Sequence, residues 1–352
     1  MSAVFLCACA ELDPQPDEPV DIPCGSVPVA FDAFGKWPDE PGTRAVTSGS
    51  STSFESGDAI GVTAYWIKDG GFIADTAPNF MYNQKVEYSA GTAVDESSSG
   101  TWLYSPVKYW PVSGKVNFYA YYPYAQAGDS RIVLSGNTAN GEPTLTYTNS
   151  EADIDLMAAS SKGLSPSGGS PSAASPAPVT LYFHHLLARV RFRFRNAWEE
   201  KQEIYHLGIN YLYFKCKTNT VLTYYYGTDK ADYGVPVEKA YMPEIINPEE
   251  YFEYSDKYTD FISPYYFVPE SIKSGELELG IDVFEKRDGK WKKISVHETP
   301  TYIAKASLPD KSGLKKGSTV VYDISYKPAD GLVITMITEV DGWTEVDNNN
   351  EI

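Results

Sequence analysis

The chain of 352 residues holds only four cysteines and four histidines. Cys7, Cys9, Cys24 and Cys216 are too few and too widely spaced for a disulfide-stapled scaffold or a zinc knuckle. No His-x-His or His-Glu-x-x-His spacing occurs, and the adjacent pair His184 and His185 would point to opposite faces of a strand. Neither a metal nor any other cofactor is therefore expected. Positive charge is scarce as well: 29 Lys and Arg stand against 47 Asp and Glu, a net charge of -18. Such a surface repels phosphate backbones and anionic headgroups, which excludes nucleic acid as a partner. No apolar run approaches the roughly 20 residues of a membrane-spanning helix. No segment keeps a helical period beyond about 10 residues, which argues against a doubly wound α/β core. Nucleophile elbow, phosphate-binding loop and dinucleotide fingerprint are all missing. The many acids allow carboxylate pairs of the glycosidase kind, but nothing selects one. No enzyme is expected.

What the chain has in excess is aromatic and turn residues: 27 Tyr, 15 Phe and 7 Trp beside 27 Gly and 24 Pro. That mixture favours strands and turns, so the fold class is read as all-β. Period-two alternation marks strands at Val27 to Phe34, Ile60 to Trp66, Val116 to Tyr122 and Leu277 to Val283. Asp288-Gly289 predicts a type I′ hairpin leading into Trp291 to Val296. Further strands are expected at Val179 to Phe183, His185 to Phe194, Ile204 to Phe214, Val221 to Tyr226, Thr319 to Ser325 and Leu332 to Val340. Only Ala197 to Gln202 and Val235 to Met242 are read as short helical turns. At about 150 residues per domain the length suggests two domains. The Ser/Pro-rich run Ser160 to Pro178, which cannot bury apolar surface, supplies the boundary. The expected division is a leader over 1–26, a first domain over 27–178 ending in that linker, and a second over 179–352. Gly35 to Ser56 reads as a second weakly structured connection.

Four features carry candidate chemistry. Leu6-Cys7-Ala8-Cys9 has the form of a bacterial lipobox, with Cys9 as the acylated residue, preceded by a short apolar run. No basic residue precedes the run, so the start of the precursor is expected upstream. Multiple acyl chains, at about 0.8 kcal/mol per buried methylene, would hold a soluble chain on a membrane. Arg189, Arg191, Arg193 and Arg195 share one strand face and are read as paired with carboxylates of neighbouring strands. Tyr104, Tyr109, Trp110, Tyr119, Tyr121, Tyr122 and Tyr124 are read as the core and rim of a sandwich, or as a sugar-stacking platform in which Trp110 and Tyr122 are the binding candidates. Cys24 and Cys216 either pair in an oxidising compartment or stay as two thiols.

Several segments in order resemble the fimbrillin-like family of type V pilins and pilus-associated lipoproteins of Gram-negative anaerobes. They are Phe54 to Val62, Trp102 to Pro111, Val116 to Pro123, Asp153 to Ala158, Val179 to Phe183, His185 to Val190 and Gly342-Trp343. The resemblance implies two tandem transthyretin-like β-sandwich domains, export through the periplasm as a lipoprotein, and display on the outer membrane in a fimbrium. It also implies that an Arg-specific protease cuts at Thr43-Arg44-Ala45, that the first strand leaves, and that a strand of another pilin subunit takes its place, giving a structural and adhesive role. The alternative is a monomeric surface lipoprotein that binds glycan or host protein through aromatic loops.

Overall fold

The computed structural model describes residues 24–35, 45–48, 51–68, 74–90, 100–165, 177–247, 250–294 and 300–339. Among them the only helical element is one 3₁₀ turn, Glu199–Lys201, where a helical turn was expected; the rest of the regular structure is strand. The protein is all-β, as its composition predicted.

The first half is organised around a six-stranded sheet in the order His184–His185, Met157–Leu164, Lys115–Tyr122, Ala59–Ile67, Met81–Ser89, Thr101–Leu103. Its two central strands alternate on both faces. Ile60, Val62, Ala64 and Trp66, with Val116, Phe118, Ala120 and Tyr122, fill one core. Tyr65, Tyr119 and Tyr121 point the other way into a separate buried cluster. A sheet covered on both faces needs apolar residues at both parities, which is why Tyr occupies the positions that alternation alone would assign to solvent. Over the first face lie three short strand pairs: Cys24–Pro28 with Tyr109–Pro111, Phe31–Phe34 with Val179–Tyr182, and Ala45–Ser48 with Ser51–Phe54.

The second half packs two sheets face to face. One has Ala188–Asn196 parallel to Thr319–Lys327, with Gly331–Glu339 outermost beside the latter. The other is built on Tyr205–Asn219 antiparallel to Glu270–Arg287. Phe192, Phe194, Leu207, Phe214, Leu279, Ile281 and Tyr322 are buried between them. Asp288 (φ 53°) and Gly289 (φ 74°) turn the chain into Lys290–Lys293, as the Asp-Gly pair predicted. The reading of Val235 to Met242 as a helical turn is corrected: Pro236–Tyr241 is a strand antiparallel to Phe214–Asn219. It begins with Pro, which a strand tolerates at its first residue, and Tyr241 enters the core opposite Phe214.

Of the arginine stripe, Arg191 and Arg193 are paired with carboxylates of neighbouring strands as expected, while Arg189 donates to the Thr319 hydroxyl and Arg195 lies 3.5 Å from the exposed Asp256. Arg191 Nη2 donates to Asp260 Oδ2 at 2.6 Å, and Arg193 holds Asp323 through Nε and Nη2 at 2.7 and 3.0 Å. Cys216 is a free thiol in the second core, 2% exposed, and burial pushes its pKa up to about 12, which makes it an inert packing residue.

The halves are not joined by the Ser/Pro run alone. Ile132–Leu134 and Thr144–Thr148 form one four-stranded sheet with Val221–Tyr225 and Lys230–Tyr233, so each half supplies two strands. This sheet covers the tyrosine face of the six-stranded sheet, and the phenol groups meet partners. Tyr119 donates to Glu142 at 2.7 Å, Tyr121 to the Asn83 side-chain Oδ1 at 2.7 Å, and Tyr226 to the Ala120 backbone carbonyl at 2.7 Å. Each satisfied hydroxyl removes the penalty of burying an unpaired polar group.

At the same junction Asp229 accepts from Tyr224 (2.9 Å) and Lys316 (3.0 Å), with His184 Nε2 at 3.5 Å. The His184 contact, with Lys316, holds the Asp229 carboxyl well below the usual carboxylate range, while desolvation lowers the His184 pKa. Both groups have folded pKa values below their unfolded ones, so their contributions are present at neutral pH and lost on acidification. His184 acts first, below its unfolded value of 6.5, and Asp229 only in strong acid. Urea midpoints are expected to fall between pH 7 and pH 5, and His184→Gln is expected to flatten that fall. An equal slope in the variant would show that the junction is not titrating.

Candidate functional site

The candidate site is the first strand of the described chain and the groove it fills. Val27 to Phe34, expected as one strand, is two: Cys24–Pro28 and Phe31–Phe34. Between them Val29 donates its backbone N–H to the Lys108 carbonyl at 2.9 Å and accepts from the Tyr104 hydroxyl at 2.8 Å. The chain therefore changes partner in mid-course, from Tyr109–Pro111 to Val179–Tyr182, and a single unbroken ladder is impossible.

Phe31–Phe34 runs parallel to Val179–Tyr182 with Phe31 beside Val179 and Phe34 beside Tyr182. The Val179 N–H donates to Ala30 and the Phe183 N–H to Phe34, both at 2.7 Å. Among the described residues this strand pairs on that side only. Its inward residues Val29, Phe31 and Ala33 are 2%, 5% and 7% exposed. Phe31 packs edge-on against Tyr104 (5.5 Å) and Phe118 (5.7 Å). Outward, Phe34 stacks on Tyr182 at 5.8 Å, both largely in solvent. Removing the strand would uncover the Val179, Leu181 and Phe183 edge and the Phe118 floor, and free the backbone groups that hold it. Burial lifts the Tyr104 hydroxyl to about 12, so it stays a neutral donor to the strand at any physiological pH.

The sequence-predicted residues fall as follows. Cys9 and Arg44 lie outside the described residues, as does Gly342-Trp343. Ala45 opens a hairpin and pairs with Phe54, so the connection read as weakly structured contains an ordered ladder directly after Arg44. Trp110 and Tyr122 are not a stacking platform. Trp110 is 3% exposed and set edge-on to Phe118, and Tyr122, 8% exposed, gives its hydroxyl to Asp58 at 3.0 Å. Both serve the first core, the other reading of the aromatic cluster. Tyr104 was read only as part of that cluster. Val179, Leu181 and Phe183 were read as a strand of the second domain. Their side chains belong to the first core, and the chain enters the second core from Ala188, beyond the boundary expected at 178. No local signal marks this, because the pairing joins strands separated by almost the whole chain segment of the six-stranded sheet.

At the other end Gly331–Glu339 is the outermost strand of its sheet. Leu332, Ile334 and Met336 pack against the second core, and Val333, 52% exposed, faces out. Among the described residues no group of three or more His, Cys, Asp or Glu is placed to hold a metal, and no helix is long and apolar enough to cross a membrane.

Comparison with known proteins agrees with this architecture. Over 113 residues the chain is 32% identical to the fimbrium subunit Fim1C of Phocaeicola vulgatus, covering 30% of this chain and 27% of that one. The matched part thus spans about a quarter of that relative's length. A solved fimbrial protein from Bacteroides vulgatus aligns over 89% of this chain and 99% of its own, with a TM-score of 0.56 at 18% identity. A second solved structure, from Bacteroides ovatus, aligns over 90% and 98%, with a TM-score of 0.51 at 14% identity. At these identities the two likenesses speak to the fold. The fimbrillin-like family description matches residues 43–343, most of the sequence, and the chain belongs to the fimbrillin-like family.

Proposed function

We propose that this chain is a structural subunit of a cell-surface fimbrium, built by exchange of its first strand for a strand of a neighbouring subunit and acting in adhesion. The observation that carries this reading is the strand Phe31–Phe34, which is buried on one face, paired on one side, and followed by a short connection containing Arg44. A cut at Arg44-Ala45 releases the segment that holds Val29, Phe31 and Ala33 and leaves an apolar groove beside an unpaired backbone edge. An incoming strand of alternating residues restores both the ladder and the core. Gly331–Glu339, an edge strand with alternating Leu332, Ile334 and Met336, is the donor we assign. Cys9 is the proposed acylation site. It would tether the subunit to the outer membrane before assembly, after export through the periplasm.

Incubation of the purified protein with an Arg-specific protease tests this reading. The expected outcome is a single early cut after Arg44, loss of the N-terminal fragment, and a ladder of oligomers in native electrophoresis. Resistance at that bond, or a clean cut that leaves only monomer, counts against it.

A further inference from the structure

Asp282 lies within the strand Glu270–Arg287, between Ile281 and Val283, which point into the second core. Alternation turns its side chain to the outer face of the sheet, yet the residue is 2% exposed. The cover on that face is aromatic. Gly208, directly opposite Asp282, has no side chain, and the Phe284 ring occupies the place where its Cβ would stand. His206, two residues before Gly208, is stacked on Trp291 at 3.5 Å and lies 4.8 Å from the Tyr251 ring.

Two nitrogen groups from the flanking strands converge on one oxygen of this carboxylate. Lys293 Nζ lies 2.6 Å from Asp282 Oδ2, and the Asn210 side-chain Nδ2 donates to the same oxygen at 3.2 Å. Asn210 belongs to Tyr205–Asn219 and Lys293 to Lys290–Lys293, which pair with the Asp282 strand on its two sides. Asn210 is the extra residue of a bulge between the pairs Ile209–Ile281 and Tyr211–Gly280, so no residue stands directly opposite it.

A primary amine, a carboxamide and a carboxyl group held on one oxygen are the components of an amide exchange. The carboxyl can take a proton from the amine and pass one to the departing nitrogen. The Lys293 side chain, 32% exposed, keeps the rotational freedom to bring Nζ to the reactive distance of about 3–3.5 Å from the Asn210 Cγ.

We infer that Lys293 and Asn210 join in an isopeptide bond within the subunit, with Asp282 as the catalytic acid and base. Asp282 accepts one proton from the Lys293 ammonium, and the freed Nζ lone pair attacks the Asn210 Cγ. A second Nζ proton passes to Nδ2, the Cγ–Nδ2 bond breaks, and ammonia leaves. The third proton remains on the new amide, and Asp282 keeps the first, so a buried ion pair gives way to neutral groups. No oxidant or cofactor enters the balance. The bond ties together the two strands that flank Glu270–Arg287, and it forms whether or not the subunit polymerises.

Mass spectrometry of tryptic peptides from the full-length protein tests this. The expected product is a branched peptide in which Gln202–Lys215 is joined to the segment beginning at Lys293, lighter than the two parts by one ammonia, about 17 Da. Lys293→Arg keeps a cation beside Asp282 but cannot form the bond, and Asn210→Ala lacks the carboxamide; both are expected to give the two peptides separately. Asp282→Ala is expected to lower the yield of branched peptide at least about ten-fold. Unfolding midpoints confirm that the variants are folded. Separate, unmodified peptides from the natural sequence overturn the proposal. So does a loss of about 17 Da that persists in Lys293→Arg, which would place it in cyclisation of another side chain. An undiminished yield in Asp282→Ala overturns the role given to that carboxyl.

Discussion

Phe31→Ala is expected to lower the unfolding free energy by about 3–5 kcal/mol, read as a lower urea midpoint at unchanged slope. The ring is 5% exposed and lies between Tyr104 and Phe118 in a core made of short strand pairs, so little nearby backbone can collapse to fill the space. Phe34→Ala, three residues on, is the control. Its ring is 41% exposed and contacts chiefly Tyr182, so its effect should stay within about 0.5 kcal/mol. Equal losses in the two variants would mean that the strand is not seated in the first core. The same sensitivity gives the strand its proposed role, since a segment that contributes several kcal/mol by burial leaves an equally strong demand for a replacement.

Gly275→Ala is expected to be at least as damaging. A Cβ built at Gly275 would fall 1.6 Å from the Lys215 carbonyl oxygen and 2.9 Å from the Cys216 Cα. Lys215 pairs with Glu276 and Lys217 with Lys273, so two residues on the Glu270–Arg287 strand oppose Cys216, and the bulge brings the backbones together there. Backbone atoms cannot rotate away, and the two longest strands of the second half would have to part. A loss of about 3 kcal/mol or more is expected, at or above the upper end of overpacking effects, or failure to accumulate as folded protein. Gly280→Ala provides the comparison, because its Cβ would meet the Tyr211 ring, a side chain that can turn aside. If the two variants are equally stable, the close approach at the bulge is not present in solution.

Much of the fold was legible because its strands are short runs rich in β-branched and aromatic residues. Ile60 to Trp66, Val116 to Tyr122 and Thr319 to Ser325 were each placed to within a residue or two, although all three are buried on both faces. The Asp-Gly hairpin was legible for a stereochemical reason, since both residues take positive φ. What alternation does not carry is the identity of the partner. Nothing local in Val179 to Phe183 says that it pairs with Phe31–Phe34 and not with the strand that follows it, because the pairing spans the intervening sheet. Tyr119 and Tyr121, read as core or rim, likewise gave no sign of what covers their face. That depends on Val221–Tyr225 closing a sheet with Thr144–Thr148 from the other half. Val235 to Met242 misled because an edge strand with one paired side needs no strict alternation. Of the candidate site, the buried alternation of the first strand was visible in advance. The exclusion of Trp110 and Tyr122 from any binding surface required their neighbours.

The central claim is that the first strand is separable and replaceable. The most direct measurement is the thermal midpoint of protein cut after Arg44 and freed of its N-terminal fragment, with and without an excess of a synthetic peptide of residues 26–35. The expected result is a lower midpoint after removal, restored by the peptide, with oligomer formation suppressed while the peptide occupies the groove. A trimmed protein as stable as the intact one, or one that the peptide neither stabilises nor keeps monomeric, would contradict the claim.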